Sequence, residues 1–247
     1  MPPSMPRWAD AIPAVRALER FLLPGECLLC RTAMPVCEWD GLVCPLCRVR
    51  WRPVPPPWCA RCGQPGLVDV ACRFCAGWPQ AVGRVRSAVW LEESAREVVH
   101  QLKYNGWPGV AAAMALVMRG LEPLTGAAVL VPIPLSRKRL RKRGYNQAAV
   151  LAGALARATG LPAALELLQR VRDTPTQTAL APEARAANVK GVFMAPALAQ
   201  GTFVLVDDVC TTGATLAAAA VALMEAGADR VEAVTFARAP LPVEFLV

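Results

Sequence analysis

Hydrophobic and polar positions follow two different spacings in the part of the chain after Pro79. Alternation around Val89 predicts a strand exposed on one side, and inward positions three and four residues apart predict amphipathic helices. The pattern predicts strands over 85–91, 127–132, 202–206 and 230–236, and helices over 92–104, 110–121, 145–159 and 214–226. Strands that alternate with helices indicate an α/β fold with a mainly parallel sheet flanked by helices. Ligands of such sheets bind at the carboxyl ends of the strands.

The first residues of the chain predict an amphipathic helix within 1–23. Apolar residues recur there at helical spacing: Trp8, Ile12, Val15, Leu18 and Leu22. The segment lacks the continuous apolar run of a secretory signal. The longest apolar stretch, Leu216 to Met224, is far shorter than the roughly 20 residues that span a bilayer. We therefore expect a cytoplasmic protein without stable membrane insertion, whose first helix packs on its own domain.

Composition narrows the class without settling the function. The chain has 247 residues, 55% hydrophobic and 19% charged. These values are typical of a soluble globular protein with one α/β domain and a small accessory module. The net charge of +8 makes phosphate-rich ligands and nucleic acid plausible partners, and an acidic protein partner stays open.

Eight of the ten cysteines form four Cys-x-x-Cys pairs. The pairs are Cys27/Cys30, Cys44/Cys47, Cys59/Cys62 and Cys72/Cys75. Two residues between thiols suit a knuckle that aims both sulfurs at one tetrahedral ion. The first pair is separated from the second by 13 residues, and the third from the fourth by 9. These gaps favour two consecutive Cys₄ ribbons, each closed around a structural zinc ion. A disulfide framework needs an oxidising compartment, and redox motifs come singly. Cys37 is interpreted as a spare thiol.

The change in pattern after the last cysteine pair predicts three parts of the chain. They are the N-terminal helix in 1–23, a double zinc ribbon in 24–78 and the α/β domain in 80–247. The ribbon segment is rich in proline and poor in apolar residues, so metal binding is expected to hold it together.

A phosphate-binding loop is predicted where the apolar segment from Phe203 ends in Asp207 and Asp208. Small and hydroxyl-bearing residues follow and open the next helix: Thr211, Thr212, Gly213, Ala214 and Thr215. Backbone N–H groups at a helix N-terminus bind phosphate, and Gly213 allows close approach. The carboxylates suit sugar hydroxyls or a metal held through water. A ligand with a ribose and a 5′-phosphate satisfies both halves of the loop.

Two further segments are candidates for the same site. The strand over 127–132 is followed by a dense basic cluster made of Arg137, Lys138, Arg139, Arg141, Lys142 and Arg143. Such a cluster can neutralise pyrophosphate, although contact with nucleic-acid backbone and a solvated charged turn are alternatives. The second segment runs from Arg172 to Gly191, and its length and polarity are typical of a lid.

These residues together resemble the ComF family, which is associated with competence for DNA uptake. The matching motifs, over about 24–238, are the cysteine pairs, Leu102-Lys103-Tyr104, Val131-Pro-Ile-Pro134, Arg143-Gly-Tyr-Asn-Gln147, Thr176-Gln177, Arg185-x-x-Asn188-Val-x-Gly191-x-Phe193 and the loop after Phe203. The loop also resembles the signature with which type I phosphoribosyltransferases bind phosphoribosyl pyrophosphate (PRPP).

The resemblance implies a type I phosphoribosyltransferase fold behind a double zinc ribbon. It assigns the ribose hydroxyls to Asp207 and Asp208, and the 5′-phosphate to the loop 211–215. It implies Mg²⁺ bound with PRPP, and a cellular role with incoming single-stranded DNA beside a helicase partner. It also implies that Lys103 and Tyr104 lie near the site, inside a segment 80–108 that we expect to form the acceptor hood.

The mechanistic hypothesis is displacement at C1 of PRPP by an unknown acceptor. Asp207, Asp208, Arg137 and Lys138 are the candidate catalytic residues. Pyrophosphate binding and closure of the lid are assigned to Arg137, Lys138, Arg143, Thr176, Gln177 and Arg185. The alternative is a factor without catalysis that senses PRPP or a nucleotide, or that binds single-stranded DNA.

Overall fold

The computed structural model describes residues 25–34, 42–66, 72–124, 126–172, 191–198 and 200–240. The predicted N-terminal helix lies outside the described residues, as do Cys37, Thr176, Gln177 and Arg185. Within the described residues, no helix is long and apolar enough to cross a membrane.

Four parallel strands form the central sheet. They are β1 (Val85–Trp90), β2 (Val129–Pro132), β5 (Thr202–Cys210) and β6 (Arg230–Arg238), in the order β1-β6-β5-β2. A two-stranded antiparallel ribbon pairs β3 (Gln169–Arg170) with β4 (Phe193–Met194). The predicted α/β class and mainly parallel sheet are therefore confirmed.

The described residues form six α-helices, and four of them cover the two faces of this sheet. The six are α1 (Pro45–Val49), α2 (Glu93–Tyr104), α3 (Val110–Met118), α4 (Arg137–Arg143), α5 (Gln147–Thr159) and α6 (Ala214–Glu225), with a 3₁₀ turn at Glu122–Leu124. Helices α2, α3 and α5 pack on one face, against Val204, Val206 and Val234. Helix α6 packs on the other, against Phe203, Leu205 and Ala233. Burial on both faces explains why the inner strands are almost continuously apolar.

The basic cluster forms a helix, which the sequence analysis did not predict. Ser136 accepts a hydrogen bond from the backbone N–H of Arg139 at 3.3 Å and so caps α4. Gly144 ends the helix with a left-handed φ of 84°. None of the seven helical residues is buried, so α4 has no apolar face and lacks the periodicity by which sequence analysis detects helices.

The cysteine-rich segment packs along the edge of the sheet at β1. Pro53 bridges Val89 in antiparallel register, the Val54 N–H donates to the Ala88 carbonyl at 3.2 Å, and the Trp90 N–H donates to the Arg52 carbonyl at 2.9 Å. This short segment covers an otherwise open strand edge.

Candidate functional site

Asp207 and Asp208 lie near the carboxyl end of β5, at the edge of the sheet where α/β proteins bind ligands. Strand β2 ends opposite β5 with Pro132 paired to Val206, just before the two carboxylates. On the other side, β6 stays paired with β5 as far as Cys210. The prediction that the strand ends at Val206 was therefore wrong, and both acids belong to the strand itself.

Asp208 is buried and forms an ion pair with Lys103 from the last turn of α2. Lys103 Nζ lies 2.9 Å from Asp208 Oδ2, and the Asp208 side chain is only 3% exposed. Burial disfavours the charge of Lys103, but the charges of Asp208 and Asp207 outweigh it and raise the lysine pKa. Lys103 therefore keeps its positive charge, and α2 supplies the cation that a buried carboxylate requires.

Asp207 lies in a different electrostatic environment. Its Oδ1 accepts a hydrogen bond from the backbone N–H of Asp208 at 2.8 Å. Burial, followed by the charge of Asp208, raises the pKa of Asp207 to about 8. With one lysine shared by two acids, the cluster favours a ligand that brings hydroxyl donors or a cation. Adjacent carboxylate oxygens are also the donors that Mg²⁺ prefers, so these residues fit a magnesium ion held through a sugar hydroxyl or water.

The segment after β5 forms the predicted strand-turn-helix connection. Gly213 is the N-cap of α6, has a φ of 76° and offers no side chain to cap the helix. The N–H of Ala214 makes only a long contact of 3.5 Å with Thr212 Oγ1. Because α6 lacks a side-chain cap, its first-turn N–H groups can bind a phosphate, and the helix dipole favours the negative charge.

The motif 143–147 connects three elements around this edge. Tyr145 Oη donates to the carbonyl of Leu102 at 2.5 Å, and Leu102 is the residue before Lys103. Asn146 caps α5 by accepting from the Ala148 N–H at 3.1 Å, while its Nδ2 donates to the Ile133 carbonyl at 3.0 Å. The motif thus holds α2 and the end of β2 together and helps to position Lys103.

The predicted pyrophosphate residues lie on α4, which begins a few residues after β2. Arg137 and Lys138 are exposed in its first turn, at the same sheet edge as Asp207. Arg143, in the last turn, places its guanidinium 5.3 Å from the ring centre of Tyr104. Helix α4 thus follows the carboxyl end of β2, while the other lid residues lie outside the described part of the chain.

The eight paired cysteines form two clusters, as the gap lengths predict. One contains Cys27, Cys30, Cys44 and Cys47, and the other contains Cys59, Cys62, Cys72 and Cys75. The sulfur atoms within each cluster lie within 4.8 Å of one another. Separations across the pairs of 3.7, 3.8 and 3.6 Å match the roughly 3.8 Å between sulfurs around a tetrahedral zinc ion. Each cluster could hold one zinc ion.

Burial raises the pKa of the Cys47 and Cys62 thiols. A thiolate at either position therefore needs a cation beside it, and a metal ion supplies that charge.

Trp78 is a residue of the site that sequence analysis missed. Its Nε1 donates to the Thr212 carbonyl at 3.2 Å, across a separation of 134 residues. Nothing in the cysteine-rich segment signals this contact, because it depends on how that segment packs on the sheet. Lys103, by contrast, was indicated by the resemblance to the ComF family.

Comparisons relate this chain to several known proteins. A family model described as the phosphoribosyl transferase domain matches residues 145–244. The DNA utilization protein YhgH of Salmonella typhi is 34% identical over 221 residues, 85% of this chain and 95% of that protein. Competence protein ComFC of Bacillus subtilis is 28% identical over 224 residues, 81% of this chain and 89% of that protein. Orotate phosphoribosyltransferase from Aeropyrum pernix has a TM-score of 0.34 and 20% identity over 63% of this chain and 70% of that chain.

Fold, site and family model define a protein of the phosphoribosyltransferase class with an N-terminal cysteine-rich module. The extent of the match to YhgH then specifies the family. The chain belongs to the ComF family.

Proposed function

We propose that this protein binds PRPP with Mg²⁺ and transfers its phosphoribosyl group to an acceptor that is still to be identified. The observation that carries the proposal is the pair of carboxylates on β5, directly followed by the glycine-capped start of α6. Carboxylates suit ribose hydroxyls, and the helix N-terminus suits a 5′-phosphate. Both groups occur in PRPP.

The chain's own residues would act by positioning and charge. Thr211 to Thr215 would bind the 5′-phosphate, and Asp207 and Asp208 would accept hydrogen bonds from the ribose 2′- and 3′-hydroxyls. Lys103 places its positive charge 2.9 Å from Asp208 Oδ2. Fixing the ribose in this way orients C1 for displacement.

Departure of pyrophosphate requires positive charge at the same edge of the sheet. Arg137 and Lys138 of α4 would stabilise the developing negative charge, and the lid residues Thr176, Gln177 and Arg185 would close over the site. Bound Mg²⁺ would neutralise pyrophosphate oxygens, with Asp207 and Asp208 holding the ion through hydroxyl or water. The acceptor forms a new bond to C1 as the C1–O bond to pyrophosphate breaks. The electron pair of the broken C1–O bond leaves with pyrophosphate.

Calorimetric titration of PRPP with Mg²⁺ into the zinc-replete protein tests the proposal. We expect saturable binding by the wild type and a loss of at least about 100-fold in affinity in the Asp207→Asn/Asp208→Asn variant, because two charge-assisted contacts are lost. Asp229→Asn is the matched control, since Asp229 is exposed and precedes β6 at the opposite edge of the sheet. Absence of binding by the wild type, or equal binding by the double variant, contradicts the proposal.

A second candidate function is binding of single-stranded DNA. Helix α4 presents six basic residues, none of them buried. Two aromatic residues that follow Lys103 in the sequence are also exposed, Tyr104 by 66% and Trp107 by 44%. Basic side chains beside exposed aromatic rings are typical of surfaces that bind unpaired nucleotides. Two relatives are named DNA utilization protein and competence protein, and these names favour a role in DNA uptake. A helicase partner and a cytoplasmic location are part of this proposal.

The two functions can be separated by experiment. Replacing Trp107 by alanine should weaken binding of a labelled oligonucleotide several-fold and leave the affinity for PRPP within about twofold of wild type. Affinity for the oligonucleotide should also fall steeply with salt. Unchanged oligonucleotide binding in Trp107→Ala, or no binding at low salt, would count against the DNA function.

A further inference from the structure

The indole ring of Trp78 lies directly on the proposed phosphate loop. A Cβ atom added to Gly213 would lie only 2.0 Å from Trp78 Cζ2 and 2.7 Å from Cη2. The Nε1 of the same ring donates to the Thr212 carbonyl at 3.2 Å. Trp78 therefore contacts both residues at the turn between β5 and α6, through packing at Gly213 and a hydrogen bond at Thr212.

Trp78 is itself held by the second cysteine cluster. Its backbone N–H donates to the Cys75 carbonyl at 3.1 Å, which makes it part of the Cys72–Cys75 knuckle. The Arg61 guanidinium, from the Cys59–Cys62 knuckle, donates to the carbonyls of Cys75 at 3.3 Å and Trp78 at 3.1 Å. Both knuckles of the cluster thus fix the position of the tryptophan.

A second set of contacts joins the same cluster to the end of β6. Arg238 is fully buried, donates to the Cys62 carbonyl and to Gln64 Oε1, and lies 5.4 Å from the ring centre of Phe74. Phe74 in turn meets Trp78 edge to face at 5.6 Å. Arg238 is paired with Cys210 at the end of β5. The cluster therefore contacts the phosphate loop through Trp78 and the strand beside that loop through Arg238.

We propose that the second cysteine cluster, with its metal ion, positions the phosphate loop through Trp78. Trp78 is a positioning residue that holds residues 211–215 in the conformation that binds the 5′-phosphate. The first cluster has no such role, because its buried cysteines pack against the face with α2, α3 and α5. The consequence for ligand affinity rests on the PRPP site proposed above, whereas the contact itself can be tested without ligand.

Two glycines provide a matched test of the contact. Gly213 and Gly160 both have a φ of 76° and flank helices, but a Cβ on Gly160 would meet nothing within 4 Å. Gly160→Ala therefore adds only the strain of a left-handed residue, while Gly213→Ala adds that strain and a clash with Trp78. We expect Gly213→Ala to lower the melting temperature more than Gly160→Ala, and the difference to vanish in a Trp78→Ala background.

Equal effects of the two glycine substitutions in the wild-type background would overturn the proposal. So would a difference that persists unchanged when Trp78 is alanine. Trp78→Phe serves as a milder variant that keeps a smaller aromatic ring, without the Nε1 donor and without part of the indole surface that faces Gly213. Circular dichroism checks that each variant is folded.

Titration of PRPP then tests the consequence for binding. We expect Trp78→Ala to weaken PRPP binding by about fivefold or more, because part of the population leaves the competent conformation, with Trp78→Phe intermediate. Tighter binding would mean that Trp78 obstructs the loop, and unchanged binding would mean that the loop needs no support; either result overturns the proposal. If the wild type itself fails to bind PRPP, the proposed function fails and the glycine comparison decides the positioning role.

The metal dependence is tested with one cysteine from each cluster. Cys72→Ser and Cys30→Ser each remove one ligand, and the zinc content of both variants is measured. We expect Cys72→Ser to reproduce the effect of Trp78→Ala on PRPP affinity, and Cys30→Ser to leave that affinity within about twofold of wild type. The opposite ranking would overturn the role of the second cluster.

Discussion

At the scale of single residues, Lys103 is what makes a charged Asp208 tolerable inside the protein. The carboxylate is nearly inaccessible to water, and the ammonium group 2.9 Å away is its charged partner. A buried ion pair contributes little net stability, but removal of one partner leaves an uncompensated charge. We therefore expect the ion pair to affect the free energy of unfolding mainly when one of its two partners is removed.

Lys103→Met should destabilise the protein by about 3 kcal/mol, because the methionine keeps most of the side-chain volume and removes the charge. The double variant Lys103→Met/Asp208→Asn should recover more than half of that loss. Urea denaturation of the wild type, the two single variants Lys103→Met and Asp208→Asn, and the double variant measures the coupling free energy between the two side chains. Additive effects of the two substitutions would mean that the pair does not interact energetically.

Asp207 is expected to make the ligand-free protein less stable as the pH rises. Its pKa is about 8 in the folded protein and 3.8 in the reference state, so between these values the folded protein holds a proton that the unfolded chain releases. Stability from this group is present below pH 3.8 and is lost as the pH rises towards 8. Asp207→Asn, which cannot ionise, should therefore gain in melting temperature over wild type as the pH increases.

Melting temperatures measured from pH 5 to pH 9, a range of about four units around the raised pKa, test this prediction. A constant difference between Asp207→Asn and wild type would indicate an ordinary pKa at this position.

At the scale of elements, α4 carries charge that the fold does not need. A helix with no buried residue contributes little to the core, and six cations close together repel one another unless anions are present. These charges suit binding of an anion, and the proposed role of the first turn rests on its position after the end of β2.

Arg137→Gln/Lys138→Gln should weaken PRPP binding on the order of tenfold, since two charge-assisted contacts become neutral ones. Arg141→Gln/Lys142→Gln is the matched control from the same helix, and it should have less than half that effect on the binding free energy. Neither variant should change the melting temperature appreciably. An equal loss of affinity in both variants would mean that α4 acts through its total charge.

Much of the element order could be predicted from the sequence, and the misses have physical causes. Helices α2 and α5 were predicted because each buries one face, with Leu102 and Leu155 fully covered. Helix α4 was missed because it buries none. The end of β5 was misplaced because the apolar run stops at Val206, whereas pairing with β6 continues to Cys210.

At the scale of the whole molecule, the first cysteine cluster contributes to the main core. Cys27, Cys44 and Cys47 pack with residues of the sheet, and the Trp51 ring meets Phe236 edge to face at 5.0 Å. Sequence analysis predicted the grouping of the cysteines from their spacing but not this packing, which depends on contacts between distant segments. The division into a ribbon over 24–78 and a domain over 80–247 remains a prediction.

Removal of metal by a chelator under reducing conditions should destabilise the α/β domain together with the cysteine-rich segment. The shared core couples them, so we expect a single unfolding transition whose midpoint falls as zinc is withdrawn. Trp51 fluorescence and far-ultraviolet circular dichroism should report the same midpoint, with a Trp51→Phe variant used to assign the fluorescence. Two separate transitions would indicate that the segment and the domain fold independently.

The location of bound PRPP tests the central claim most directly. Hydrogen exchange of the wild-type protein, with and without Mg²⁺ and PRPP, reports which backbone N–H groups the ligand protects. We predict the strongest protection in residues 211–216, where the N–H groups at the start of α6 would bind the 5′-phosphate. Protection confined to α4, or no change in exchange at saturating PRPP, would contradict the account.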